Sequence, residues 1–267
     1  MQSDCRPLIL CAALFASASC STPPPPAPVS AQEVIRRELV VGSSLARQLE
    51  PRLTFRRDAE VREYLDRVGR ALALSGDAFK GHTTDVFAVQ DIGGRWWNFA
   101  VPGDRVYLAA GLVRSTEYEN ELAAMIAVEL GHLSGKHVID RLRRAGGDAP
   151  PAGNPLLEGL TLPQPEELPR DIDFFGPSGI FAYSEEQLFE ANDVAVGLLY
   201  RAGYDPRGLI EIWSRHLREP ERTPYEPETL AKLVDRSRRT IALYSPLRNP
   251  IVRSEAFLAI QKRLQKL

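Results

Sequence analysis

The residues in this 267-residue chain most able to do chemistry are Glu129 and His132, inside Met125-Ile126-Ala127-Val128-Glu129-Leu130-Gly131-His132-Leu133-Ser134-Gly135-Lys136-His137. On a helix, positions four apart share a face, so H-E-x-x-H presents two imidazoles to one zinc ion while the Glu between them reaches a metal-bound water. Here Val128 stands where the first His would be. Glu129 keeps the general-base position and His132 the second-ligand position. A plainer reading is also open, in which the two are an i, i+3 polar pair on a half-buried helix, worth a few tenths of a kcal/mol.

The elements that must position these residues follow from pattern. Ser30 and Glu33 make a capping box, and Ile35, Leu39, Leu45 and Leu49 mark an amphipathic helix that is interrupted or loosened near Gly42. A second helix runs from about Asp58 to Leu74, with Val61, Tyr64, Leu65, Val68 and Leu72 on one face. Residues 85–90, 96–101 and 105–108 read as strands of a small antiparallel sheet, the last two joined by a Pro102-Gly103 turn. Residues 146–179 are rich in Pro and Gly without a long period, which reads as a long surface loop, either a lid over the cleft or a tolerated insertion. A further helix spans about Ser184 to Ala202 and another follows Pro206, where Trp213 is expected in the core and His216 at the surface.

Ahead of the domain, Arg6, the apolar run Leu8 to Ala16 and the small residues Ser17-Ala18-Ser19 before Cys20 form a targeting segment, too short for a stable membrane span. The Cys20 surroundings resemble a bacterial lipobox, with cleavage near Ala18 as the alternative; either way the mature chain lies outside the cytoplasm. Residues 1–20 are thus the signal, 21–30 a Pro-rich spacer that holds the domain off a membrane, and 31–267 the folded domain. All three cysteines precede residue 21, so no disulfide framework holds the domain. With 33 Lys and Arg against 35 Asp and Glu, there is no basic excess for a phosphate backbone, and nucleic acid is not an expected partner.

Three stretches carry a resemblance to a known family. Glu129, Gly131, His132 and His137 match the pattern HExGHxxxxH. Upstream, Trp97-Asn98-Phe99-Ala100-Val101-Pro102-Gly103, Val106-Tyr107-Leu108, Gly111-Leu112-Val113 and Glu119-Asn120-Glu121-Leu122-Ala123 are similar, in order and register, to NAFAxPGG, a short strand, GLL and an acidic residue with E-L-A. Downstream, Leu188 to Asn192 and Gly203-Tyr204-Asp205-Pro206 resemble ExEADxxxxxxLxRxGYDP. The family is metallopeptidase family forty-eight, of the gluzincin type.

That resemblance implies an α+β, mostly helical zincin-like fold with a small antiparallel sheet edging the cleft. The strand carrying Trp97, Asn98, Phe99 and Ala100 would pair with substrate backbone, although Trp96 and Trp97 could equally just pack on the sheet. Without gaps, Leu188 falls at the family's third zinc ligand and Asn192 at its supporting Asp. A catalytic zinc needs about three protein ligands and an open position, and only His132 survives here. His137 lies roughly 140° around the helix from His132 and is expected to point elsewhere, as do Glu185, Glu186 and Glu190. No cofactor is therefore expected. The reading is an inactive pseudopeptidase lipoprotein that binds extended polypeptide in envelope quality control, on the periplasmic side of the outer membrane. An active zinc endopeptidase with substituted ligands and a purely structural envelope lipoprotein are the alternatives.

Overall fold

The computed structural model describes residues 30–79, 84–103, 105–145, 168 and 171–267. Cys20, the Pro-rich stretch up to residue 29, His82 and most of the 146–179 segment lie outside them.

Nine α-helices and three strands are described. α1 (Ala31–Leu49) and α2 (Ala59–Leu74) precede β1 (Asp85–Val89), β2 (Phe99–Val101) and β3 (Arg105–Ala109). There follow α3 (Ala110–Arg114), α4 (Glu119–Ser134), α5 (His137–Ala145), α6 (Glu185–Arg201), α7 (Gly208–Arg218), α8 (Pro227–Ile241) and α9 (Glu255–Leu264). Local chemistry sets several starts: Ser30, Asp58, Ser184 and Ser254 each accept a backbone N–H in the first turn of α1, α2, α6 and α9. At Ser184 the box is reciprocal, because Gln187 returns a bond to the Ser184 N–H.

α1 runs unbroken through Gly42, contrary to the expected interruption. A Cβ at Gly42 would overlap the Pro102 carbonyl, so this glycine serves a close approach between helix and turn.

The sheet has the order β1-β3-β2. β2 and β3 form the expected antiparallel hairpin, with Phe99 opposite Tyr107 and Gly103 at φ +83° in the turn after Pro102. The wholly antiparallel sheet is corrected: β1 pairs with β3 in parallel, Val86 opposite Val106 and Ala88 opposite Leu108. The connection from residue 90 to residue 98 carries the chain past β3, so the chain enters β2 at the far edge and turns back into the centre.

Two apolar layers sandwich this sheet. Val86, Ala88, Ala100, Val106 and Leu108 face one core, shared with α2, α4, α6, α7, α8 and α9. Val89, Phe99, Val101 and Tyr107 face a second, shared with α1, α5 and residues 172–181. Alternation along each strand makes this possible, since successive side chains point to opposite faces.

Candidate functional site

α4 is buried all round from Glu119 to His132, as a helix through the middle of a core must be. Its first N–H groups are satisfied from elsewhere in the chain: Glu119 and Asn120 both donate to the Val252 carbonyl. The Glu119 carboxylate accepts from the Ser254 N–H at 2.7 Å, and Glu121 pairs with Arg215 at 2.9 Å. The helix carrying Glu129 and His132 is thus fixed to the C-terminal segment and to α7.

The other end of α4 overturns one expectation. The helix stops at Ser134, and Lys136 takes φ +55°, so His137 opens α5 on a reversed path rather than continuing around a wheel. Its ring folds back over Gly135, where a Cβ would sit 2.8 Å from Cε1 and 2.9 Å from Cδ2 of His137. His137 Nδ1 lies 2.8 Å from His132 Nδ1, and His137 Nε2 lies 3.3 Å from Glu190 Oε2 on α6. Glu190 therefore reaches the site through His137, not by facing it directly.

This chain sets a tautomer. With Nε2–H of His137 donating to the Glu190 carboxylate, a neutral His137 has only a lone pair at Nδ1, so His132 donates from Nδ1 and keeps a bare Nε2. That Nε2 is buried and without a hydrogen-bond partner among the described residues. Burial, with His137 beside it, holds His132 well below the usual imidazole range, and it is neutral.

Glu129 is 2% exposed, and its Oε2 has no hydrogen-bond partner among the described residues. Burial pushes its carboxyl up to about 8. At neutral pH it is mainly protonated. Tyr183 lies flat on His132, centroids 3.7 Å apart and planes 17° apart, and burial pushes the Tyr183 and Tyr225 hydroxyls up. Val128 and Leu188 are each 3% exposed in the same apolar core.

The implied zinc can be tested against these residues. Of the three positions the resemblance assigns to ligands, two hold buried aliphatic side chains with no lone pair, and a tyrosine ring covers the third. Among the described residues no group of three His, Cys, Asp or Glu is gathered to hold a metal ion. The side chains present do not fit a zinc centre. Asn192 does not face the site either: its Oδ1 accepts from Trp213 Nε1 and Ser237 Oγ, both at 2.9 Å, tying α6 to α7 and α8.

The strand residues are close by but mostly covered. Asn98 Oδ1 accepts the Ala109 N–H at 2.9 Å, and Ala100 is in the main core. Phe99 stacks between Tyr107 at 5.0 Å and Phe181 at 4.7 Å, and Trp97 meets Phe175 edge-on at 5.7 Å. Residues 172–183 thus run from the aromatic face of β2 to His132; this described end of the 146–179 segment lies in the second core, where a surface loop was expected. On its outer side β2 pairs with no other strand among the described residues. His216 is a further correction, 1% exposed among Trp96, Trp213 and Tyr225.

Sequence reasoning missed Tyr183 and Tyr225 as neighbours of the site, and it set Glu190 aside as pointing elsewhere, whereas Glu190 reaches the site through His137. Gly135 was the one available signal, since a glycine at that point marks a helix end before His137.

The sequence model of Peptidase family M48 matches residues 57–151, which run from α2 through β1, β2, β3 and α4 to just beyond α5. Similar proteins carry the name beta-barrel assembly-enhancing protease. One from Vibrio cholerae is 26% identical over 68% of this chain and 38% of its own length. One from Yersinia pestis is 23% identical over 76% of this chain and 39% of its own, and one from Escherichia coli K12 is 22% identical over 73% and 41%. The chain spans about two fifths of the length of these relatives. Among the described residues, no helix is long and apolar enough to cross a membrane.

Proposed function

We propose that this chain, a member of peptidase family M48, is a pseudopeptidase of the cell envelope that holds extended polypeptide along the outer edge of β2 and does not cut it. The observation that carries this reading is the pair of buried aliphatic side chains, Val128 and Leu188, at two ligand positions around a lone His132. Zinc is what lowers the pKa of a bound water from 15.7 to about 7. Without it, Glu129 has no activated water to serve.

Binding needs less than catalysis. The outer edge of β2 pairs with no strand among the described residues, and because Phe99, Ala100 and Val101 are fully buried, strand addition there requires what covers β2 to move aside. The name of the relatives, beta-barrel assembly-enhancing protease, supports β-barrel polypeptides as the partners in this reading. Lipid at Cys20 and the Pro-rich spacer would then tether the domain at the periplasmic side of the outer membrane.

The test is to incubate the full chain with an unfolded β-barrel polypeptide, and to follow association by anisotropy, fragments by mass spectrometry and amide exchange over residues 99–101. Saturable association with slowed exchange at β2 and an intact polypeptide is the expected result. Chelator-sensitive fragments would establish the active zinc endopeptidase instead, and absence of association would leave a structural lipoprotein.

A further inference from the structure

On the far side of the sheet from β2, the chain before α2 is fastened to the outer edge of β1. Arg56 donates its N–H to Ala88 O at 2.9 Å, Gln90 donates to Thr54 O at 2.8 Å, and Phe55 forms a bridge with Val89. The Phe55 ring meets Phe87 edge-on at 5.5 Å. Between this fastened segment and α2 opens a cleft of about 620 Å³, floored by Phe55, Phe87, Val61 and Leu65. A second hollow of about 330 Å³ shares Phe55 to Asp58 with it and is walled by Arg263 and Lys266 at the end of the chain.

The two halves differ in chemistry. The first is mainly apolar; the second brings together cations from two remote stretches, Arg56-Arg57 and Arg263 to Lys266. Their pairing is uneven. Arg62 lies over Phe87, 3.7 Å from its centroid, and is occupied by Asp66 at 2.8 Å and Asp85 at 3.1 Å. Arg263 is taken by Glu60 at 2.6 Å and Asp58 at 3.5 Å. Asp58, the one carboxylate side chain of the lining, also caps α2 through the Glu60 and Val61 N–H groups, and Leu267, with its main-chain carboxylate, borders the second hollow beside Lys266. Arg56, Arg57 and Lys266 pair with no carboxylate among the described residues. An exposed run of cations alone would be only a solvated surface. Here the unpaired ones ring the mouth of an apolar, rigidly floored cleft whose volume falls in the range of small-ligand sites, about 300–1,000 Å³.

We infer that this double cleft binds a small amphipathic anion as a monomer, its apolar body between Phe55, Phe87, Val61 and Leu65 and its carboxylate or phosphate head against Arg56, Arg57 and Lys266. The inference does not rest on the state of the Glu129 site. Charge-assisted bonds to the head and apolar burial of the body act together, so neither half of the ligand suffices alone.

Calorimetric titration of the full chain with octanoate and octyl phosphate, beside acetate and inorganic phosphate as heads and octanol as body, tests this. Octanoate and octyl phosphate should each bind one site at least about tenfold more tightly than any single-half probe. The surface variant Arg56→Gln/Arg57→Gln/Lys266→Gln should lose about tenfold for the amphipathic anions, and Phe55→Ser should do the same by removing the floor. Equal affinity for octanol and octanoate, or no change in the triple-Gln variant, overturns the assignment. So does binding confined to phosphatidylglycerol vesicles, which would mark a membrane-facing surface, or binding confined to an acidic peptide.

Discussion

Gly131 lies at a close approach of α4 to the α6 backbone, and replacing it with alanine sets two effects against each other. Alanine raises helix propensity over glycine by about 1 kcal/mol. A Cβ at Gly131, however, would stand 2.8 Å from Ala191 Cα and 2.9 Å from its carbonyl carbon, with the carbonyl oxygen nearer still. These are backbone atoms of a packed helix and cannot swing aside, so α4 and α6 must part. Overpacking of this kind costs about 1–3 kcal/mol, and rigid neighbours put the cost toward the upper end. The net loss is about 1–2 kcal/mol, which lowers Tm by about 2–8 °C for a domain of this size. Gly197 on α6 supplies the internal control. Its added Cβ would meet only Arg201 Nη1 at 3.1 Å and Tyr244 Oη at 3.3 Å, the movable ends of two long side chains. There propensity dominates, and Gly197→Ala gains about 0.5–1 kcal/mol. Urea unfolding at constant m and thermal melts measure both. If the two substitutions shift stability in the same direction, the account of the α4–α6 contact fails.

Three further outcomes follow from buried polar groups. Burial and the neighbouring Arg215 hold His216 down to about 3; the unfolded chain takes up a proton below its ordinary value of about 6.5 that the folded chain refuses, so stability present above pH 6.5 is lost as pH falls toward 3. At pH 5 this amounts to about 2 kcal/mol, and His216→Phe should flatten the acid limb of a stability-pH curve; an equally steep limb contradicts the assignment. Tyr183 stacks on His132 at 3.7 Å while its hydroxyl has no hydrogen-bond partner among the described residues. Tyr183→Phe should therefore stay within about 0.5 kcal/mol of the parent, and Tyr183→Ala should cost about 3 kcal/mol or more, both read by urea unfolding. His137→Leu leaves the His132 Nδ1–H without its acceptor, at a cost of about 1–3 kcal/mol, and nitrogen NMR of the parent should find His132 protonated at Nδ1 and not at Nε2.

What the sequence made legible were features written locally. The cap at Ser30 located the start of α1, the pattern placed the starts of α2 and α6 near Asp58 and Ser184, and Pro102-Gly103 located the β2–β3 hairpin. Strand direction is a different matter: alternation in residues 85–89 is the same whether β1 runs parallel or antiparallel to β3, and only the path of residues 90–98 decides it. His137 was lost by extending a helical wheel past Gly135, where the helix has already ended at Ser134. His216 was judged by polarity, yet Trp96, Trp213 and Tyr225 enclose it. Phe174, Phe175 and Phe181 enter the second core from a segment with no periodicity, so nothing in their spacing announced burial. The aliphatic character of Val128 and Leu188 was legible at once; the Tyr183 ring over His132 was not, because it comes from fifty-one residues away.

Zinc stoichiometry of the full chain, stripped of metal and reloaded, beside a Val128→His/Leu188→Glu variant that restores both side chains, is the most direct test. The native chain is expected to stay metal-free while the variant takes up one zinc ion. One tightly held zinc in the native chain would contradict the pseudopeptidase reading and return the site to catalysis.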